Sequence, residues 1–194
     1  LWGDAGNDHL YGGAGNDQLY GGAGDNYRYG GDGNDQFWSE GSNDRMFGGS
    51  GDDRFDVSDG NHYVHGGSGA DIFELNGSGF VRAYAGGDSD WDLFHLNGSG
   101  TYEVHLDGND YAFMHAMTGR ARIYVGAAGG DLIGAGSAPV GVYGQRGYFS
   151  FESLGRRSAT IYSGSAGSIM GLMGTHSLWG GAGEDYGHSY AGGG

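Results

Sequence analysis

The sequence contains no cysteine and no lysine, and it has only one proline. Without cysteine, the chain has no disulfide brace and no thiol chemistry. All nine basic residues are arginine and the formal net charge is −15, so binding to the phosphates of DNA or RNA is disfavoured. No apolar run approaches the length that a membrane-spanning helix needs. These absences leave an acidic protein that must be held together by something other than disulfides.

Glycine, by contrast, occupies 47 of the 194 positions, and aromatic residues make up 14%. The glycines are not at every third position, which excludes collagen, and bulky residues recur between them, which disfavours disorder. The recurring unit is nine residues long and has the pattern G-G-x-G-x-D-x-U-x, where U is a large apolar residue. Intact copies follow at steps of 18 residues and begin at Gly12, Gly30, Gly48 and Gly66.

Each unit combines a tight turn with a carboxylate. Closely spaced glycines let the backbone adopt positive φ angles, and tight turns direct successive carbonyl oxygens towards one point. The aspartate at position six adds a carboxylate, and carbonyl and carboxylate oxygens are the ligands that Ca²⁺ prefers. The last three residues are expected to form a short strand whose middle side chain, at position eight, points inward.

This pattern resembles the calcium-binding repeat of the RTX (haemolysin-type) family. The resemblance implies an all-β fold, a right-handed parallel β-roll or β-helix solenoid, and an extracellular or cell-surface (secreted) protein. The spacing predicts about ten coils of 18–21 residues in a single domain over residues 1–194, as a piece of a longer chain. We expect intact calcium-binding coils over residues 1–92 and degenerate coils over 93–194.

Two units make one coil of such a solenoid, so the turns alternate between two edges. Edge A comprises the turns that end at position-six residues Asp8, Asn26, Asp44 and His62, with their continuation to Phe80, Thr101 and Arg122. Edge B comprises the turns that end at Asp17, Asp35, Asp53 and Asp71, with their continuation to Asp92, Asp110 and Asp131. In this register both edges need two three-residue insertions, in the same two coils.

The predicted metal ligands are the position-six aspartates, because successive coils lie about 4.8 Å apart and neighbouring carboxylates can share a cation. The candidates on edge B are Asp17, Asp35, Asp53 and Asp71, extended by Asp92 and Asp110. The remaining candidates are Asp8 and Asp44 on edge A, and Asp131 and Asp185 further along edge B. The alternative interpretation is a set of Asx turns that need no metal.

Position eight predicts an apolar interior on edge B, with phenylalanine at Phe37, Phe55, Phe73 and Phe94. On edge A the same position holds Arg28, Arg82 and Glu103, which should not be buried without a partner. We therefore expect the strands to slip by one residue there, so that neighbouring residues face inward. Those neighbours are Tyr27 and Tyr29 beside Arg28, and Val81 and Ala83 beside Arg82.

Position nine points outward and carries two aromatic rows in the first coils. They are Trp2, Tyr20 and Trp38 on one face, and Tyr11, Tyr29 and Phe47 on the other, after which the position turns polar. Such rows are typical of a surface that contacts sugar rings or another protein segment. Strand propensity alone is the other explanation.

No catalytic set is apparent in the sequence. The eight histidines do not follow the coil spacing, which favours surface positions over a zinc or catalytic cluster. The segment GHSYAG at residues 187–192 lacks the context of a nucleophile elbow, and no HExxH motif is present. We therefore predict a non-enzymatic, calcium-dependent structural or assembly module.

The alternative is an accessory module of a secreted enzyme of the alginate epimerase, protease or lipase type. Its catalytic domain would lie outside this chain, and the module itself could bind polysaccharide. The expected partners are Ca²⁺ and either another protein subunit or further coils of the same chain. A partner is expected because neither edge has an aspartate from Phe149 to Ser177, so calcium cannot hold those coils.

Overall fold

The computed structural model describes residues 1–87, 89–114 and 117–126, and the backbone of seven further strands between residues 131 and 190. In that last stretch, side chains are described only for residues 140–144 and 160. Among the described residues there is no helix, and hence none that is long and apolar enough to cross a membrane.

The strands form two parallel sheets, and consecutive strands alternate between them. The first sheet contains β1 (His9–Ala14), β3 (Tyr27–Asp32), β5 (Arg45–Ser50), β7 (His62–Ser68), β9 (Phe80–Gly86), β11 (Thr101–Leu106), β13 (Arg120–Val125), β15 (Val140–Gly144), β17 (Ala159–Tyr162) and β19 (Ser177–Trp179). The second contains β2 (Gln18–Tyr20), β4 (Gln36–Trp38), β6 (Arg54–Val57), β8 (Ile72–Leu75), β10 (Leu93–Leu96), β12 (Tyr111–Met114), β14 (Asp131–Ala135), β16 (Phe149–Ser153), β18 (Gly167–Met173) and β20 (Asp185–Tyr190). The predicted all-β parallel solenoid is confirmed.

The interior lies between the two sheets and is lined on edge B by the predicted apolar row. Leu19, Phe37, Phe55, Phe73, Phe94 and Ala112 are all fully buried. Their phenylalanine rings stack face to face, with centroids 4.7 Å apart for Phe37–Phe55, 5.0 Å for Phe55–Phe73 and 4.1 Å for Phe73–Phe94. Burying a phenylalanine contributes about 1.5–3 kcal/mol, so this row stabilises every coil that it crosses.

The register on edge A differs from the prediction after His62. His62 pairs with Val81, which makes that coil 19 residues long instead of 18. Val81 then pairs with Tyr102 after a 21-residue coil, and Tyr102 pairs with Ala121 after 19 residues. The expectation of two three-residue insertions on edge A is therefore wrong for the second one. The predicted slip at Arg82 is confirmed, since Val81 and Ala83 are buried and the Arg82 side chain is 43% exposed.

No slip occurs at Arg28, contrary to expectation. Arg28 pairs in register with Leu10 and Met46 and is fully buried, while Tyr27 and Tyr29 point outward. Its guanidinium donates from NH2 to Oδ2 of Asp44 at 2.6 Å. The sequence argument missed this partner because Asp44 lies one coil away, 16 residues along the chain.

The first predicted aromatic row is confirmed on the outer face of the second sheet. Trp2, Tyr20 and Trp38 stack with centroids 4.0 Å and 4.4 Å apart and ring planes within 7° of parallel. Stacked rings cover one another's faces, so this row presents mainly ring edges to solvent.

The second aromatic row, on the first sheet, is longer than predicted. Because of the one-residue slip it does not turn polar after Phe47, but continues in register through His65, Tyr84, His105, Tyr124 and Tyr143. The tightest contacts are Tyr84–His105 at 4.3 Å and His105–Tyr124 at 4.7 Å. Two of the apparently scattered histidines are thus members of an aromatic row.

Candidate metal sites

A ladder of aspartate side chains runs along edge B, immediately before each strand of the second sheet from β2 to β12. The backbone N–H of each position-six aspartate donates to Oδ1 of the aspartate one coil further on. The donor–acceptor distances are 2.7 Å for Asp17 to Asp35, Asp35 to Asp53, Asp53 to Asp71 and Asp71 to Asp92, and 3.0 Å for Asp92 to Asp110. From Asp35 onward these residues are at most 2% exposed. The ladder therefore fixes the carboxylates and stacks them along one line.

Glycine at position one makes room for the carboxylate that ends the same turn. A Cβ on Gly48 would clash with Oδ2 of Asp53, and one on Gly30 would clash with Oδ2 of Asp35. The second glycine is required by the backbone conformation, because Gly49 has a φ of +123°, which residues with a side chain rarely adopt. Together the glycines create a cradle beside each buried carboxylate.

The charge in this cradle is not balanced by the protein. In Asp35 and Asp53 the second carboxylate oxygen, Oδ2, is buried and has no hydrogen-bond partner among the described residues. Burial raises the pKa of Asp35 and raises the pKa of Asp53 to about 7, although the backbone N–H that each carboxylate accepts opposes the rise. Burying an unpaired charge is costly, and a bound cation would remove that cost.

The donor set fits Ca²⁺, which binds six to eight oxygen atoms from carboxylates, backbone carbonyls and water. Within the described residues, no group of three or more His, Asp or Glu side chains could hold a metal by itself. Each turn instead supplies one carboxylate beside glycine-rich backbone. An ion at edge B would therefore depend on carbonyl oxygens as well as on aspartates from successive coils.

The family model of the RTX calcium-binding nonapeptide repeat, in four copies, matches residues 1–27, 29–55 and 38–73. A comparison with curated proteins found no match, and a comparison with solved structures found none either. The chain thus contains a calcium-binding repeat module, and the part of the aspartate ladder from Asp17 to Asp71 lies in the matched residues.

The edge B ladder continues past the residues that match the RTX model, and among the described side chains it can be followed as far as Asp110. Its Oδ2 accepts hydrogen bonds from the backbone N–H groups of Asp107 at 2.9 Å and Gly108 at 3.2 Å. Its Oδ1 accepts from the N–H of Asp92. Both oxygens of Asp110 are therefore satisfied by the protein, although burial still raises its pKa.

The last two predicted ligands lie beyond this point. Asp131 begins β14 and pairs in register with Phe149, and Asp185 begins β20 and pairs with Gly167. The side chains of both aspartates lie outside the described part of the chain. So do nearly all side chains from Phe149 to Ser177, where the coils are expected to be held by a partner instead of calcium.

Edge A has the same backbone ladder but different side chains. The N–H of Asp8 donates to Oδ1 of Asn26, that of Asn26 to Oδ1 of Asp44, and that of Asp44 to Nδ1 of His62. In the following coils the position is apolar or aromatic, and Val81, Tyr102, Ala121 and Val140 are buried there. His62 is only 3% exposed, so the prediction of surface histidines is wrong for this residue.

A groove follows edge A on its outer side and encloses about 550 Å³. Its walls include Tyr27, Arg45, Tyr63 and Arg82, and its floor reaches Asp44. Arg82 is engaged by Glu103, with Nε 2.7 Å from Oε1. Sequence reasoning missed this groove, because the alternation of aromatic and arginine side chains is visible only once the coils are in register.

Proposed function

We propose that residues 1–92 form a calcium-dependent folding unit of an extracellular structural or assembly protein. The observation that carries the proposal is the buried, unpartnered Oδ2 of Asp35 and Asp53 beside a glycine cradle. Ca²⁺ held between successive edge B turns would neutralise these carboxylates, so that ion binding and folding are coupled. The proposed ligands are Asp17, Asp35, Asp53, Asp71 and Asp92, with Asp8 on edge A as a separate candidate.

The test compares two neighbouring aspartates of the same turn, one buried in the ladder and one exposed to solvent. Asp53→Asn removes a buried carboxylate charge from the ladder, whereas Asp52→Asn removes an exposed charge at position five. Asp53→Asn keeps an oxygen that can accept the backbone N–H of Asp35 in the previous coil. Asp52→Asn keeps an oxygen that can accept the backbone N–H of Ala70 in the next coil. Calcium titrations followed by circular dichroism should show a weaker calcium response for Asp53→Asn and an unchanged one for Asp52→Asn.

An extracellular role also sets the expected affinity. Calcium sites of extracellular modules typically have dissociation constants of about 10⁻⁴–10⁻³ M. The chain should therefore be β-rich at millimolar calcium and lose structure with a chelator. A circular dichroism spectrum that the chelator leaves unchanged would refute the proposal.

For assembly, the support comes from the open end of the solenoid. In the described structure β1 pairs on one side only, with β3, whereas β2 is bridged on its other side by Trp2. Leu1, Trp2 and Tyr11 at this end are 47%, 71% and 62% exposed. An unpaired strand edge with exposed apolar side chains is a template for another strand. We propose that it receives a further coil or a second copy of the chain, which analytical ultracentrifugation in calcium would test.

The sugar-binding alternative has weaker support from the same surface. A sugar ring stacks on the face of an aromatic ring, but the faces of Tyr20 are covered by Trp2 and Trp38. Ring stacking therefore leaves at most the two end faces of this row, on Trp2 and Trp38, for a sugar, so the geometry favours contact with protein. The sequence of the parent chain would distinguish an accessory role beside a secreted enzyme from a structural or assembly role.

A further inference from the structure

Three turns of edge A, which end at Asn26, Asp44 and His62, contain their own hydrogen-bond donors where edge B has unpartnered oxygens. In the turn that ends at Asn26, the side-chain amide Nδ2 donates to the carbonyls of Gly22 at 3.3 Å and Gly24 at 3.0 Å. An aspartate at the same position has no hydrogen to donate. The amide thus satisfies two turn carbonyls that would otherwise be free to bind a cation.

In the next turn the carboxylate of Asp44 already has a cationic partner. Arg28 NH2 donates to its Oδ2 at 2.6 Å, and both side chains are fully buried. The NH1 group of Arg28 donates to the carbonyl oxygen of Trp38, just before the same turn. Position one of this turn is Ser39, so the glycine cradle found beside Asp53 is absent. The guanidinium of Arg28 therefore pairs with Asp44, and the side chain of Ser39 stands where the edge B turns have glycine.

The third turn ends at His62, which brings a proton donor of its own. Its Nδ1 accepts the N–H of Asp44, so the ring proton is on Nε2, which lies 3.0 Å from the carbonyl oxygen of Asp59. Position one is occupied by the buried side chain of Val57. This turn has neither a carboxylate at position six nor a cradle.

We propose that the edge A turns that end at Asn26, Asp44 and His62 bind no calcium, because Asn26, Arg28 and His62 donate the hydrogen bonds and charge that ions would otherwise supply. These turns do not fit the ion that the RTX repeats imply. The inference rests on the proposed function, which assigns the ions to edge B. The coils from Asn26 to His62 would then be fastened by calcium on edge B only.

The first experiment counts the ions bound by the full chain, using isothermal titration with CaCl₂ and equilibrium dialysis. The double variant Arg28→Met/Asp44→Asn removes both buried charges together and keeps an acceptor for the N–H of Asn26. It should bind the same number of ions with the same affinity as the wild type, whereas Asp53→Asn should lose at least one ion. Loss of an ion in the double variant would overturn the inference, while a wild type that binds no ion would refute the proposed function instead.

The second experiment introduces a calcium site on edge A. Asn26→Asp/Arg28→Leu places a carboxylate in three consecutive edge A turns and removes the donors of Asn26 and Arg28, while Gly3 and Gly21 keep the first two of these turns open. This variant should bind at least one calcium ion more than the wild type. An unchanged ion count in a folded variant would show that these donors are not what excludes calcium.

Discussion

The coils before and after Phe80 fill the same inward position of edge A in two different ways. Before it, the position holds polar groups that form hydrogen bonds from coil to coil, such as Asn26 and His62. After it, the position holds Val81, Tyr102 and Ala121, which belong to the buried core. A solenoid position can therefore change from a polar ladder to apolar packing without a break in strand pairing. The difference indicates that dependence on calcium should fade along the chain.

The largest effect is expected where packing alone holds a coil. Tyr102 is fully buried, and its hydroxyl donates to the carbonyls of Gly77 and Asn97. Tyr102→Ala should lower the free energy of unfolding by about 3–5 kcal/mol, measured by urea unfolding in saturating calcium. Tyr102→Phe, which only leaves the two carbonyls without a donor, should cost about 1–3 kcal/mol. Recovery of the alanine variant at higher calcium would contradict packing as the cause.

The next effect concerns the earlier coils and their glycine cradle. Gly48→Ala would force a Cβ against Oδ2 of Asp53, and we expect calcium affinity to fall about 10–100-fold. Gly87→Ala is the matched control, because a Cβ there meets nothing within 4 Å. Isothermal titration of both variants should separate them. Equal affinities would mean that the cradle does not shape the site.

Lowering the pH should act in opposite directions with and without calcium. The folded pKa of Asp53 is raised to about 7 from 3.8, mainly by burial. In chelator, this residue therefore adds stability that is fully present below about pH 3.8 and is lost as the pH rises through 7. Calcium affinity should show the reverse trend, since protons compete for the same carboxylate. Unfolding midpoints should be measured at pH 5 and pH 8, with calcium and with chelator. The midpoint in chelator should be higher at pH 5, and the gain from calcium should be larger at pH 8. Parallel changes in the two conditions would contradict the prediction.

The smallest effect is expected at an exposed ion pair on the second sheet. Arg54 NH2 lies 3.1 Å from Oδ1 of Asp56, and the two side chains are 41% and 29% exposed. Solvent screens such a pair, so Arg54→Gln should change the free energy of unfolding by about 0–1 kcal/mol. Arg28→Gln is the contrasting change, because it leaves Asp44 buried without a cation and should cost about 3–5 kcal/mol. Similar values in urea unfolding would show that burial does not distinguish the two pairs.

The sequence predicted edge B well because one physical requirement repeats there in every coil. Asp35, Asp53 and Phe55 recur at fixed spacing, and a short apolar strand after each turn allows only one inward face. The ladder and the phenylalanine stack follow from that period. The insertions before Asp92 and Asp131 were also placed correctly, since tight turns with aspartate mark both ends of each long coil.

Edge A was harder to predict because its side chains satisfy one another across coils. Arg28 and Asp44 look like two misplaced charges until the register brings them to 2.6 Å. The single-residue insertion before Val81 was hidden in the same way, since neighbouring coils there share no repeated motif. The row of Tyr84, His105 and Tyr124 would have shown the correct register, had the histidine been counted as an aromatic ring instead of a polar residue.

The direction of the edge B hydrogen bonds gives the RTX array a polarity. Each backbone N–H donates forward to the carboxylate of the following coil, so the N–H of a turn is paired only when the following coil is in place. The carboxylate of Asp110 is already oriented by the N–H groups of its own turn. Asp110 can thus act as a nucleus from which coils add one after another in the direction of Asp17. Pulse-labelled hydrogen exchange during refolding in calcium should show protection at Asp92 before Asp35, and the opposite order would exclude this direction of growth.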